Sequence, residues 1–210
     1  METFYKKNMK KNKLDLAKKL LSGGELVIFP TETVFGIGAD ATNDRAVKSI
    51  FKVKKRPPNN PIICHFKDIN QIEKYFDLSK FEKKLASKFW PGPLTIILKK
   101  KRNSKISNLV SNKSNLVGCR IPSNKLANKL ITLLDMPIAA PSANLSERTS
   151  VTNIMDIDPI LDKKIFVLKD KQSTLGLEST VVKIDNKNRI EVLRYGSITV
   201  EDLKKFAKVK

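Results

Sequence analysis

The chain has 210 residues, 41 of them Lys or Arg against 21 Asp or Glu, a net charge of +20 at pH 7. Its hydrophobic share of 40% is too high for a disordered polycation, and a chain of this length folds without a disulfide or metal staple. Two lone cysteines and a single histidine exclude a structural zinc site, and no apolar run approaches the ~20 residues that span a bilayer.

The N-terminal stretch METFYKKNMKKNKLDLAKK has neither an apolar core nor a cleavage site, so no signal peptide is expected. Cys64 and Cys119 fit a reducing compartment, and a cytoplasmic protein without a membrane partner is expected. The first helix is basic and stops at Gly23-Gly24. Leu26 to Phe29 reads as a buried strand running into Pro30, and a helix follows from Asn43 to about Lys54, stopped by Pro57-Pro58. Ile62 to Phe66 is a strand. Ser79-x-x-Glu82 is a capping box for a helix ending near Trp90.

Pro91-Gly92-Pro93 breaks that helix, and Leu94 to Leu98 is the next strand. Residues 101–115 are polar and basic and read as an exposed connection. Leu116 to Ile121 is a strand, Lys125 to Leu134 a helix, and Pro137 to Pro141 a short strand feeding a polar loop from Ser142 to Ser150. Strands at Ile165 to Leu168, Ser179 to Ile184 and Ile190 to Arg194 precede a final helix capped by Thr199-x-x-Asp202. This order predicts an α/β fold around one twisted, mixed sheet.

Several nucleotide signatures are absent: there is no GxxxxGK[ST] loop, and Gly36-Ile37-Gly38 lacks the third glycine of a dinucleotide fingerprint. The polar segments at strand ends are the candidates for chemistry. Thr31 and Thr33 after the first strand can hold a polar ligand or simply brace a turn, and the turn is the stronger reading. Lys54 and Arg56 either complement a helix dipole or, on a proline platform, face phosphate oxygens. Arg120, among apolar strand neighbours, needs an anion, whether a protein carboxylate or a ligand. His65, between Cys64 and Phe66, reads first as a structural residue. Lys outnumbers Arg 34 to 7, so part of the positive charge reflects codon bias; the rest suits an acidic partner.

In this order, FPTETVFGIGADAT (29–42), KKRPPNNPIICHF (54–66), FWPGPLTIIL (89–98), VGCRIPSN (117–124), PIAAPSANLSERTS (137–150), GLESTVVKI (176–184) and LRYGSIT (193–199) resemble the YrdC-like family, the L-threonylcarbamoyladenylate synthases. The resemblance covers residues 15–205. It implies one YrdC-like domain over residues 1–210, with a basic segment at 1–13, of the short type. It also implies an α/β sheet around a large basic cavity. The implied enzyme is a nucleotidyltransferase that condenses L-threonine, bicarbonate and ATP to threonylcarbamoyl-AMP and pyrophosphate. The adenylate would serve t6A modification of tRNA, through a tRNA threonylcarbamoyl-transferase complex downstream. Mg2+ would be carried on the ATP phosphates, with no protein metal site, and tRNA or double-stranded RNA is a possible partner.

By motif position the resemblance assigns Lys54, Arg56, Ser142 and Asn144 to catalysis and nucleotide phosphates, with Asn60, Ser150 and Arg194 as further ATP contacts. Thr33, His65, Arg120 and either Ser179 or Thr180 fall on the threonine site. Phe35 stands where the family often has Tyr, and Tyr195 where Pro is common. Two other readings compete. One is a non-enzymatic RNA-binding protein, weakened by an aromatic content of only 7%. The other is a carbamoyl-transfer domain of the hydrogenase-maturation kind.

Overall fold

The structure is a computed structural model that describes residues 13–145, 149–169, 173 and 175–210. The basic N-terminal segment therefore lies, up to residue 12, outside the described residues, as do residues 146–148 of the loop expected from Ser142 to Ser150. Helix α1 runs through residues 13–22. After it come β1 (Val27–Pro30), β2 (Phe35–Asp40), α2 (Asp44–Lys54), β3 (Cys64–His65), α3 (Ile69–Glu73), β4 (Phe76–Asp77), α4 (Lys80–Phe89) and β5 (Leu94–Lys100). The second half holds β6 (Leu116–Arg120), α5 (Lys125–Leu134), β7 (Ile138–Ala139), α6 (Pro159–Lys164), β8 (Phe166–Val167), β9 (Thr180–Ile184), β10 (Ile190–Arg194) and α7 (Val200–Lys204).

Local chemistry fixes the helix ends. Asn43 accepts from the Ala46 amide at the start of α2, and Ser79 with Glu82 forms the expected reciprocal capping box on α4. Thr199 accepts from Asp202 N at the start of α7. Gly24, at φ +83, takes the left-handed turn that closes α1. Lys55 does the same after α2, at φ 52, so that Lys54 turns into the protein while Arg56 leaves along a new direction.

Among the described residues ten strands join in one sheet, in the order β10-β9-β5-β6-β3-β7-β2-β1-β8, with β4 added to β5. The sheet is mixed: β3 with β6, β5 with β9 and β1 with β8 are parallel, and the other pairs are antiparallel. Its two faces are sorted by residue parity. On one face Ile28, Ile37, Cys64, Ile96, Cys119 and Val182 form the main core with α2 and α4. On the other, Val27, Phe29 and Ile138 pack beneath α1 and α5. No helix among the described residues is long and apolar enough to cross a membrane.

Two expectations change. Strand β2 was not foreseen: its two glycines read only as a partial dinucleotide fingerprint, yet it pairs with β1 from Val27↔Gly38 to Pro30↔Phe35. The segment 101–115 is not simply an exposed connection. It contains a 3-10 turn at Asn108–Ser111, with Ile106 and Val110 buried and the Val110 carbonyl accepting from Ile62 N. Two apolar anchors suffice to hold a polar segment down.

Candidate active site

Where the second face of the sheet is not covered by α1 and α5, it is open. The residues that alternate with the main core (Ile63 and His65, Ile97, Gly118 and Arg120, Val181) floor a cavity of about 400 Å3. Gly118 keeps the floor low: a Cβ there would lie 3.0 Å from Thr95 Cγ2 and 3.3 Å from Ile63 Cγ1.

The inner end is fully buried. His65 and Arg120 are register partners on parallel strands, so their side chains stand side by side at the strand ends. The turn between β1 and β2 faces them. Thr31 Oγ1 donates to the Val34 carbonyl and accepts from the Thr33 and Val34 amides. This brace presents Thr33 Oγ1 to Arg120 Nη1 at 2.9 Å. Arg120 Nε donates to the Gly92 carbonyl, and Nη2 lies 2.6 Å from Glu32 Oε1. The anion that Arg120 needs is thus a protein carboxylate. Burial, followed by the Arg120 cation, pushes His65 down to about 3, so the imidazole is neutral at pH 7.

The outer end is half-exposed and carries more charge. Arg56 donates through Nε to the Asn60 carbonyl and through Nη2 to Asn60 Oδ1 and the Pro61 carbonyl, each at 2.8–3.1 Å. A bulge between Val192 and Arg194 turns the Arg194 side chain toward the same opening. Arg194 donates through Nε and Nη2 to the Ser179 carbonyl, through Nη2 to Ser179 Oγ, and through Nη1 to Glu178 Oε2. Ser179 Oγ also shares a 2.8 Å hydrogen bond with Thr95 Oγ1. Ser150 Oγ donates to Glu178 Oε1 at 2.8 Å.

Of the residues assigned from the sequence, Thr33, Arg56, Asn60, His65, Arg120, Ser142, Ser179 and Arg194 line this one cavity. Three of the others stand behind its wall, and Ser150 meets Glu178 at the rim. Lys54 is only 1% exposed and donates Nζ to the Ser142 carbonyl at 2.6 Å and to the Asn144 carbonyl. Burial, then the nearby Arg56 charge, lowers Lys54 to about 8. Asn144 donates to the Leu145 carbonyl. Thr180 Oγ1 exchanges hydrogen bonds with both backbone groups of Ile198, leaving Ser179 as the cavity-facing member of that pair.

Sequence reasoning did not single out Glu32, Glu178 or Thr95. All three lie inside quoted motifs, and the signal available for Glu32 was the need of the buried Arg120 for a carboxylate. Both cysteines are buried and their thiols pushed up by burial, which keeps them out of nucleophilic chemistry.

The sequence profile of the Sua5/YciO/YrdC family, described as telomere recombination, matches residues 19–196. The chain is 37% identical over 195 residues to the threonylcarbamoyl-AMP synthase of Pyrococcus abyssi, covering 92% of this chain and 56% of that protein. It is 35% identical over 195 residues to a putative threonylcarbamoyl-AMP synthase of Methanocaldococcus jannaschii, covering 92% of this chain and 90% of that one. The crystal structure of P. abyssi Sua5 complexed with L-threonine superposes with a TM-score of 0.88 at 34% identity, over 94% of this chain and 58% of that one. The chain thus spans little more than half the length of the P. abyssi protein.

Proposed function

Since the chain belongs to the Sua5/YciO/YrdC family, we propose that it condenses L-threonine, bicarbonate and ATP to L-threonylcarbamoyl-AMP and pyrophosphate. The observation that carries this reading is the cavity's division into two ends: a dry one with Thr33, His65 and Arg120, and a charged mouth with Arg56 and Arg194. Threonine suits the first end and the ATP phosphates suit the second. The relative crystallised with L-threonine supports threonine as a ligand of this fold.

The chemistry asks for what these side chains supply. Bicarbonate takes up a proton and loses water to give CO2, and the neutral threonine amine adds to it, forming the N–C bond of a carbamate as the nitrogen releases a proton. A carbamate oxygen then attacks the α-phosphorus in line, forming a P–O bond as the bond to the β-phosphate oxygen breaks and pyrophosphate leaves. Positioning and charge stabilisation dominate such a step. Arg120, held by Glu32 and Thr33, receives the threonine carboxylate. His65, neutral in this setting, adds no positive charge beside the amine. Arg56, Arg194, Asn60 and Ser142 receive the phosphates, with Ser150 at the rim. Lys54 fixes the Ser142–Asn144 carbonyls, so its part, and that of Asn144, is to shape the phosphate loop. Of Ser179 and Thr180, Ser179 faces the threonine. A buried inner end also keeps water from the carbamate and the adenylate.

Mg2+ enters as MgATP, part of the substrate. Among the described residues no three of His, Cys, Asp and Glu converge, and Glu32 and Glu178 are engaged by arginines, so the donor set suits a phosphate-carried ion. We further propose a cytoplasmic setting, with the product passed to the transferase complex that makes t6A. The exposed cations Arg45, Lys48, Lys52 and Lys113 beside the mouth would contact tRNA phosphates.

Pyrophosphate release, measured with MgATP in bicarbonate buffer, tests the reading. Release that needs both L-threonine and bicarbonate supports it. No threonine-dependent release from folded protein that binds ATP overturns it, and salt-sensitive RNA binding under those conditions would favour an RNA-binding role instead.

A further inference from the structure

Among the described residues the mouth holds one carboxylate where several cations converge. Glu178 Oε2 accepts from Arg194 Nη1, and Glu178 Oε1 accepts from the Ser150 hydroxyl at 2.8 Å. Its charge also acts on Arg56 and on Lys54. Of these four, Arg56 and Arg194 are phosphate-receiving residues of the proposed reading, Ser150 stands at the rim, and Lys54 holds the loop that carries Ser142. A carboxylate that takes one arginine N–H on one oxygen and a hydroxyl on the other presents the same kind of acceptors as a phosphate oxygen pair.

We propose that Glu178 is a built-in occupant of the phosphate site, which the β- and γ-phosphates of ATP displace when they bind. Without a nucleotide, Glu178 neutralises the mouth and holds Arg194 in position, so the arginine loses little freedom on binding. When the phosphates arrive, the carboxylate must leave Arg194 and Ser150 or be repelled in place. The pair is well suited to exchange, because the two side chains are 33% and 38% exposed and water can receive the released carboxylate. Glu178 thus sets how tightly the site holds polyphosphate and discriminates against single-phosphate anions, too weakly charged to evict it. This inference rests on reading the mouth as a phosphate site, but not on the condensation itself.

The test is calorimetric titration with tripolyphosphate and, separately, with inorganic phosphate, on unmodified protein and on Glu178→Gln. The glutamine keeps the size and one acceptor oxygen, removes the charge, and puts an amide donor in place of the other oxygen. Tripolyphosphate should bind about tenfold more tightly to E178Q, and inorganic phosphate should become detectable as a ligand. Unchanged or weaker tripolyphosphate binding by folded E178Q would overturn the proposal and make Glu178 a positioning residue for Arg194. Should E178Q not fold, the unmodified protein still answers. With carbon-13 in glutamate carboxylates, the Glu178 signal should move to a solvated position on saturation with tripolyphosphate, and a stationary signal overturns displacement. Polyphosphate binding as expected, without threonine-dependent pyrophosphate release, would keep this inference and sink the synthase reading.

Discussion

Arg120 and Glu32 form an ion pair, Nη2 to Oε1 at 2.6 Å, in which the side chains are only 4% and 7% exposed. Such a pair is held together by what its loss would leave behind. Glu32→Gln strands a buried guanidinium, and removing one partner of a buried pair costs roughly 3–5 kcal/mol. Denaturant unfolding should show a loss of that order. A loss below about 1 kcal/mol would mean that water reaches Arg120 from the cavity and carries its charge.

His65 is neutral in the fold down to about pH 3, because burial and Arg120 both disfavour the imidazolium. The unfolded chain takes up that proton near the ordinary 6.5, so stability is lost as pH falls from about 6.5 toward 3. His65→Asn should lack this acid-side slope. The KM for threonine should in turn show no imidazole inflection between roughly pH 5 and 8, and an inflection near 6.5 would refute the neutral assignment.

Lys54 gives the opposite window. Its value of about 8 lies below the ordinary 10.5, so between the two the unfolded chain holds a proton that the folded chain has released. The stability difference between the unmodified protein and Lys54→Met should rise across that window by up to about 3 kcal/mol and be flat below it. A flat difference throughout would show that the Ser142 and Asn144 carbonyls keep the ammonium charged.

Arg56→Ala removes the donors to Asn60 and Pro61 from a half-exposed position. Adenylate formation should fall by about 100-fold or more, while the melting temperature changes little. If unfolding instead loses cooperativity, the guanidinium is a strut for the Pro57–Pro61 loop.

Gly196 packs without a side chain against the turn that carries Glu178 and Ser179. A Cβ there would lie 2.3 Å from the Glu178 carbonyl oxygen and 2.6 Å from Ser179 C and Thr180 N. Gly196→Ala should cost about 2 kcal/mol or more by thermal unfolding and weaken ATP binding as Arg194 loses the Ser179 carbonyl. A variant with unmodified stability and affinity would show that this turn yields freely.

What could be read from the sequence is what short-range chemistry writes. The caps at Ser79 and Thr199 are each decided within four residues, and both hold. The seven collinear motifs located the cavity's lining, because strand ends collect the polar residues. Strand β2 was hidden because the reason for its glycines is tertiary. A Cβ at Gly38 would come within 2.7 Å of the Phe29 ring and 2.8 Å of Ile138 Cγ2, neither adjacent in sequence. The partners of Lys54 were hidden for a related reason. Its position at a helix end says nothing of the Ser142 and Asn144 carbonyls to which its Nζ donates, 88 and 90 residues away. Glu32 was passed over because its partner lies in β6, far along the chain, and a carboxylate in a turn has many local uses.

The sheet order has a consequence for the making of the protein. Strand β9, near the end of the chain, adds in parallel to β5, and β10 closes that edge. The inner end of the cavity, with Thr33, His65 and Arg120, is assembled from residues at or before Arg120, but Ser179 and Arg194 come only with the last strands. A nascent chain that has left the ribosome through α6 holds half a pocket, open along the unpaired edge of β5. Closing that edge joins segments more than eighty residues apart, which places it among the slower steps of folding. Until then the exposed strand edge is the segment most in need of protection from pairing with a neighbouring chain.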